Sequence, residues 1–208
     1  MSADTDATLG VVLAGGAGSR MGGADKGLLP LCGRPLVEHA LDDLRAQCDR
    51  LLIVANRNLD HYARYAPVVH DGNGDHAGPL AGLAAAFGFV HANRHALARW
   101  LLTVPVDCPD IPHDLAARLH VPLMENETAR CAYVHRAGRA QPTLALYRLG
   151  GDAGTWRASA SAALREHGSP MRWHAAIGAV AVDFDDAIDA FHNLNTPDDF
   201  RDYERTHG

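Results

Sequence analysis

Glycines and cations crowd into one short stretch near the start of this 208-residue sequence. The stretch GGAGSRMGGADKG, residues 15–27, comes directly after the apolar run Leu9–Ala14. Glycine lets backbone N–H groups approach an anion because no Cβ stands in the way. Arg20, Lys26 and Arg34 add positive charge within or beside the stretch. A loop of this composition, placed after a strand, is typical of a phosphate-binding site.

Two common phosphate-binding fingerprints do not fit this loop. A dinucleotide fingerprint that starts at Gly16 and Gly18 requires a further glycine at position 21, where Met21 stands. A Walker loop requires Gly-Lys followed by Ser or Thr, whereas the sequence has DKG at 25–27. The loop is therefore neither a Rossmann fingerprint nor a P-loop, and on glycine content alone a flexible surface turn stays open.

A carboxylate follows a second buried run. Asp107 ends WLLTVPVD, so a strand over Trp100–Val106 brings it to the carboxyl edge of a sheet, where Pro105 and Pro109 stiffen the backbone. Mg²⁺ takes one or two carboxylates together with phosphate oxygens and water, so one well-placed aspartate suffices. An aspartate that caps a helix beginning near His113, or that stabilises a turn, is the other interpretation, and the residues alone favour it over metal binding.

The apolar pattern alternates strands and helices. The predicted strands are short apolar runs, namely Leu9–Ala14, Leu51–Ala55, Pro67–Val69, Trp100–Val106, Ala132–Val134, Thr143–Tyr147 and Ala179–Phe184. The predicted helices have helical apolar spacing and are Leu36–Gln47, Leu59–Tyr65, Leu80–Ala92, Thr155–His167 and Pro197–Arg205. Alternation in the first half predicts parallel strands, and a hairpin across Arg136–Gln141 makes the sheet mixed. We expect an α/β, Rossmann-like three-layer fold with a mostly parallel mixed sheet.

Length and composition predict a single domain over residues 9–208 and a disordered N-terminus over residues 1–8. A net charge of −6 gives no global field that attracts nucleic acid. The four cysteines lack the spacing of a zinc site or a redox dithiol, and the sequence pattern predicts neither a signal peptide nor a membrane-spanning run. We therefore expect a cytoplasmic protein that binds neither nucleic acid nor membranes.

The stretch LAGGAGSRMGGADKGLLPLCGRPL resembles the signature of nucleotidyltransferases, and specifically of molybdenum cofactor guanylyltransferases, which reads approximately LAGGxSxRMGxDKxLLxLxGxPL. The blocks VANRN, GPLAG, VPVDCPDIP, QPTLALY and NLNTPDDF follow in family order, so the resemblance covers nearly the whole chain. It departs from the pattern at Gly18, where many relatives carry serine or another side chain. The resemblance implies a fold of the nucleotide-diphospho-sugar transferase type. It also implies transfer of GMP from GTP to molybdenum-molybdopterin, which yields the guanine dinucleotide cofactor and pyrophosphate.

The resemblance also implies roles for individual residues. The nucleotide-binding residues implied are Leu13, Ala14, Gly15, Lys26, Asn56, Asp71 and Asp107. The catalytic residues implied are Lys26, Arg20 and Asp107, with Asp107 as the Mg²⁺ ligand. A further set, Gln141, Asn193 and Asn195, is implied to contact the pterin substrate or the metal. Proteins that insert molybdenum and apo-enzymes that accept the product are the protein partners this family suggests.

Other functions stay open at this point. A sibling enzyme uses CTP on molybdopterin, and related nucleotidyltransferases act on a sugar or alcohol phosphate. A non-catalytic nucleotide-binding adaptor that delivers cofactor belongs to another class. A Rossmann oxidoreductase is disfavoured by the failed fingerprint. Two further signals are interpreted as solvated surface, namely the pair His91 and His95 and the acidic cluster Asp183, Asp185, Asp186 and Asp189.

Overall fold

The computed structural model describes residues 7–15, 24–72, 78–93, 98–150 and 152–207. Within these ranges, no helix is both long and apolar enough to cross a membrane.

The strands of the described residues form one large sheet and one small hairpin. In chain order they are β1 (Thr8–Leu13), β2 (Pro30–Leu31), β3 (Arg34–Pro35), β4 (Arg50–Ala55), β5 (Val68–His70), β6 (Trp100–Pro105), β7 (Cys131–Arg136), β8 (Arg139–Arg148) and β9 (Val180–Asp183). The large sheet has the order β5-β4-β1-β6-β8-β7-β9, and β2 pairs with β3. Strands β5, β4, β1 and β6 are mutually parallel, whereas β8 runs antiparallel to both β6 and β7. The expected mostly parallel mixed sheet is confirmed.

Helices cover both faces of the sheet. In chain order they are α1 (Leu36–Arg45), α2 (Leu59–Tyr62), α3 (Pro79–Ala92), α4 (Leu115–Glu125), α5 (Ala153–Glu166), α6 (Pro170–Ala176) and α7 (Pro197–His207). Successive residues of a strand point to opposite faces, so Val12 packs in the cluster that contains α1 and α4, and Val11 packs with α3, α5 and α6. The result is the expected three-layer α/β arrangement.

Several boundaries differ from the sequence-based prediction. Strand β1 begins at Thr8, which we expected to be disordered, and the carbonyl of Ala7 before it accepts hydrogen bonds from Arg99 N and Trp100 N. The β7–β8 turn is shorter than the predicted Arg136–Gln141, because Ala137 and Gly138 both adopt positive φ and close a two-residue hairpin.

Candidate active site

The glycine-rich loop and the Asp107 loop leave the sheet side by side. Strand β1 is flanked by β4 on one side and β6 on the other, so the chain order reverses between β1 and β6. Leu13 at the end of β1 pairs with Pro105 at the end of β6, and Val106 N donates to Leu13 O at 3.1 Å. Ligands of open α/β sheets bind at such a reversal, outside the carboxyl ends of the strands.

Lys26 joins three distant parts of the chain at this place. Its Nζ donates to Asp107 Oδ2 at 2.7 Å and to Asn195 Oδ1 at 2.9 Å. The side chains of Lys26 and Asp107 are only 15% and 23% exposed, so the ion pair is partly shielded from water. Three of the residues implied by the resemblance therefore lie in direct contact, in a position that a charged ligand can reach.

The N-terminus of α7 holds Asn195 in place. Asp199 Oδ2 accepts hydrogen bonds from Asn195 N and Thr196 N, each at 2.7 Å, and Thr196 Oγ1 accepts from Asp199 N at 3.2 Å. This is a reciprocal capping arrangement of the T-x-x-D type. The hydrogen bond from Asn195 N, followed by those from Thr196, lowers the pKa of Asp199, and nearby Lys26 acts in the same direction. The carboxylate of Asp199 is thereby held in its ionised form.

The segment before α7 is joined to the Asp107 loop by its backbone. Leu194 N donates to Asp107 O at 2.9 Å, and Phe191 N donates to Asp110 O at 2.7 Å. The Asp110 carboxylate accepts from Tyr203 Oη of α7 at 2.6 Å. These contacts fix the distance between the Asp107 and Asn195 side chains.

Residues implied to bind the nucleotide surround the start of the loop. A Cβ on Gly15 would lie 3.0 Å from Asn56 Oδ1, so the Asn56 side chain at the end of β4 packs against the Gly15 backbone. A Cβ on Gly82 of α3 would lie 3.1 Å from Leu13 Cδ2. Ala14 N donates to Val54 O at 2.8 Å and extends the strand pairing. The loop therefore begins from a rigid, closely packed base.

The other implied residues lie farther from Lys26. Asp71 is buried just after β5, two strands from β1, which is about 10 Å at ordinary strand spacing. Gln141 pairs with Val134 beside an irregularity of the β7–β8 ladder, and Asn193 is exposed. Among the described residues, the hydrogen bonds of the Lys26 side chain go to Asp107 and Asn195 and not to these three. Arg20 lies outside the described residues.

Two signals interpreted as surface have local structural partners. Asp186 accepts from Arg118 at 2.8 Å, and Asp185 accepts from Ala137 N at 2.5 Å, so the acidic cluster joins α4 and the β7–β8 turn to the segment after β9. His91 lies in α3, where its ring lies close to Gly154 of α5, and His95 lies outside the described residues.

The oxygens around Lys26 are those that a hard divalent cation prefers. Asp107 Oδ2 and Asn195 Oδ1 already converge on a single cationic group, the Lys26 ammonium. Among the described residues there is no group of three or more His, Cys, Asp or Glu side chains that could hold a metal ion. Asp107 and Asn195 could together supply two oxygen ligands to a divalent cation whose other ligands are phosphate oxygens and water.

An open α/β sheet with a glycine-rich loop and a carboxylate at its reversal point defines the class of nucleotide-binding α/β proteins. Residues 10–176 match the model of the MobA-like NTP transferase domain. The chain belongs to this family, and the prediction that it is a nucleotidyltransferase is confirmed.

Relatives named molybdenum cofactor guanylyltransferase match nearly the whole chain. A molybdenum cofactor guanylyltransferase of Shewanella loihica is 38% identical over 95% of this chain and 94% of its own length. The enzyme of that name from Rhodopseudomonas palustris strain HaA2 is 38% identical over 97% and 93%. The crystal structure of molybdopterin-guanine dinucleotide biosynthesis protein A from Archaeoglobus fulgidus superposes with a TM-score of 0.72 at 21% identity, covering 95% of this chain and 97% of the other. The last comparison supports the fold alone.

Proposed function

We propose that this chain transfers GMP from GTP to molybdenum-molybdopterin and releases pyrophosphate. The terminal phosphate oxygen of the pterin attacks the α-phosphorus of GTP, a new P–O–P bond forms, and the bond between the α-phosphorus and the bridging oxygen breaks. The observation that carries the proposal is the Lys26–Asp107–Asn195 cluster at the sheet reversal, in a chain whose 38%-identical relatives are molybdenum cofactor guanylyltransferases.

Two anions must meet in this reaction, so the main task of the protein is to position them and to offset their charge. Lys26 supplies a fixed positive charge near the end of the glycine-rich loop. We assign it to the GTP phosphates, together with Arg20. The nucleophile arrives already ionised, so the chemistry requires no general base and no covalent enzyme intermediate.

We assign Mg²⁺ to Asp107, with Asn195 beside it, because both oxygens lie within reach of one cation. When bound, the ion would neutralise negative charge that builds up on the phosphate oxygens. Asp107 sits at the end of a buried strand and its loop is held by the Leu194 contact, so its carboxylate needs little reorganisation to serve as a ligand.

We assign the nucleoside to the region between the ends of β1, β4 and β5. The backbone of Leu13, Ala14 and Gly15 forms one side of it. Asn56 offers both a donor and an acceptor beside Gly15, and Asp71 offers an acceptor for a guanine N–H edge or a ribose hydroxyl. We assign the pterin to the other side of the point where the strand order reverses, beyond β6. Gln141, Asn193 and Asn195 lie on that side.

Pyrophosphate release tests the proposal against the adaptor alternative. We expect release only when GTP, Mg²⁺ and molybdenum-molybdopterin are all present, with one pyrophosphate for each dinucleotide product detected by mass spectrometry. GTP binding without pyrophosphate release under these conditions would identify a non-catalytic carrier and would overturn the proposal. The proposed reaction also implies that molybdenum-insertion proteins supply its substrate and that apo-molybdoenzymes accept its product.

A further inference from the structure

The residue before Lys26 carries a buried carboxylate that the proposed reaction does not use. The Asp25 side chain is only 8% exposed. Its Oδ1 accepts from Tyr62 Oη at 2.5 Å and its Oδ2 accepts from Asn58 Nδ2 at 2.9 Å. Arg57 Nε lies 3.9 Å from Oδ2. A buried carboxylate is costly unless such partners are present, so this carboxylate is anchored to the segment that follows β4.

The chain on both sides of Asp25 and Lys26 rests on the same segment. Arg57 donates from its guanidinium to Ala24 O at 3.0 Å. A Cβ on Gly27 would lie 2.4 Å from Tyr62 Oη, so Gly27 is a position at which only glycine lets the backbone approach the tyrosine. Residues 24, 25 and 27 are thus held by residues 57–62.

The supporting segment is itself rigid. Tyr62 is fully buried, and burial, with a smaller contribution from the hydrogen bond to Asp25, raises its pKa, so its hydroxyl stays protonated and remains a donor. Asn58 adopts φ of 53° before α2, a left-handed conformation that asparagine tolerates better than most residues. Its amide is thereby available to Asp25 from the exposed side.

We propose that Asp25 and Tyr62 are positioning residues for Lys26, with Asn58 in support. Their hydrogen bonds fix the backbone at Lys26 so that its ammonium lies between Asp107 and Asn195, from where it reaches the nucleotide phosphates. The claim that Lys26 reaches the nucleotide phosphates rests on the proposed function. The claim that Asp25 and Tyr62 position Lys26 concerns the nucleotide-free protein and can be tested without any transfer activity.

Lys26 is the only lysine in the sequence, so an amine-selective acylating reagent has two targets, Lys26 and the N-terminal amine. The rate of acylation of each is measured by mass spectrometry in nucleotide-free protein, and the N-terminus serves as the internal reference. Tyr62→Phe removes one hydroxyl and keeps the ring. We expect Lys26 to react roughly fivefold faster in this variant, the factor that corresponds to one net hydrogen bond.

Tyr147→Phe is the matched control. Tyr147 is also fully buried, and its hydroxyl forms a hydrogen bond with His174 at 2.9 Å that the substitution removes. It packs with α3 and α5 on the opposite face of the sheet from Tyr62. We expect the acylation rate of Lys26 to be unchanged in this control. An equal increase in both variants would show an effect of general destabilisation, and an unchanged or slower rate in Tyr62→Phe would show that Tyr62 does not hold Lys26. Either result overturns the proposal.

Asn58→Gly gives a second, independent variant. Glycine accepts the left-handed backbone at this position, so the substitution removes the amide donor to Asp25 while the fold is retained. We expect faster acylation of Lys26 here as well. If Asn58→Gly leaves the rate unchanged, Asn58 does not support Lys26 through Asp25, and that part of the proposal is wrong.

Kinetics then test whether the pair acts through Lys26. Tyr62→Phe is expected to lower kcat/KM for GTP by roughly fivefold in the wild-type background and to have no further effect when Lys26→Ala is present. Fully additive effects would contradict the positioning role. If the wild-type protein transfers no nucleotide at all, the proposed function fails, and the acylation rates still decide the role of Asp25 and Tyr62.

Discussion

Lys26 carries its charge between oxygen atoms from two distant parts of the chain. Asp107 Oδ2 and Asn195 Oδ1 lie 81 and 169 residues from it in sequence. If Lys26 binds the GTP phosphates as we propose, these two oxygens already orient its ammonium in the free protein.

Replacement of Lys26 by alanine should leave the fold intact and lower turnover by roughly a hundredfold, the usual cost of losing one fixed electrostatic contact to a transition state. Steady-state kinetics with GTP give the turnover, and circular dichroism gives the fold. Arg205→Ala, which removes an exposed cation from α7, is the control and should behave as the wild type. Wild-type turnover in Lys26→Ala would contradict the phosphate role.

Asp107→Asn keeps the size of the side chain and removes its charge. We expect the Mg²⁺-dependent activity to be abolished, because the amide is a poor ligand for a hard cation in place of the carboxylate. Titration of activity with Mg²⁺ measures this directly. If the titration curve of the variant coincides with that of the wild type, Asp107 is not the metal ligand.

Sequence reasoning found the two charged residues of the cluster and missed their support. Lys26 and Asp107 follow strands whose apolar runs are unmistakable, and the family resemblance supplied their roles. Asp25 in a glycine-rich loop has the pattern of an exposed turn residue, and nothing local indicates its burial. Its partner Tyr62 is 37 residues away, so only the packing of α2 against the loop reveals the contact.

Helix α7 and the segment before it connect the end of the chain to the loop after β6. The sequence T-x-x-D at Thr196–Asp199 was a usable signal for the cap, and the structure shows that it also fixes Asn195. Asp110 adds a second attachment through Tyr203. The C-terminal helix therefore supports both Asn195 and the loop that carries Asp107 and Asp110.

Asp199→Ala should test this support. The N–H groups of Asn195 and Thr196 lose their acceptor, and we expect a loss of about 1 kcal/mol in stability, as for other helix caps. We also expect roughly a tenfold drop in kcat, because the Asn195 side chain shifts relative to Asp107. Thermal unfolding and kinetics give the two quantities. Asp202→Ala on the same helix removes only an exposed pair with Arg205 and is the control.

A drop in stability without any change in kcat would limit Asp199 to a structural role. The comparison with Asp202→Ala is informative because exposed ion pairs contribute little to stability.

Elements marked by an apolar run were predicted well, including the short strands β5 and β9, whereas α6, β2 and β3 were not predicted. The strands of the first half lie within a residue or two of their predicted bounds, because buried parallel strands are continuous apolar runs. Helix α6 was missed although Ser169 caps it and Pro170 begins it, since seven residues give little periodicity. Helix α4 was anticipated only as a start near His113, and Pro122 interrupts its pattern. Strands β2 and β3 are too short to leave any pattern.

One buried and one half-buried titratable group, His174 and Asp43, give the stability of the molecule opposing dependences on pH. Burial lowers the pKa of His174 from its ordinary 6.5 to about 4. Burial also raises the pKa of Asp43 from 3.8 to about 6, and Asp110 adds to this, while the hydrogen bond from Ile111 N opposes it. As the pH falls from 6.5 to 4, His174 becomes protonated in the unfolded chain but stays neutral in the folded chain. Its titration therefore lowers the stability of the folded chain over this range. Over much of the same range Asp43 favours the folded chain.

When either residue is replaced, the pH dependence of stability should be the one that the remaining residue causes. His174→Gln should become more stable as the pH falls from about 7 to about 5, and Asp43→Asn should become less stable over the same range, with a slope of up to about 1.4 kcal/mol for each pH unit. Urea denaturation at both pH values measures the free energy of unfolding. Identical pH dependence in the two variants would contradict the assignment of both pKa shifts.

The choice of base is the central claim of the proposed function, and competition among the four nucleoside triphosphates tests it most directly. Wild-type protein is given molybdenum-molybdopterin, Mg²⁺ and equal amounts of GTP, CTP, ATP and UTP, and the dinucleotide products are quantified by mass spectrometry. We predict that the guanine dinucleotide predominates and that it disappears in Asp107→Asn. Predominance of the cytosine or uracil product would contradict guanylyl transfer and would identify a sibling nucleotidyltransferase instead.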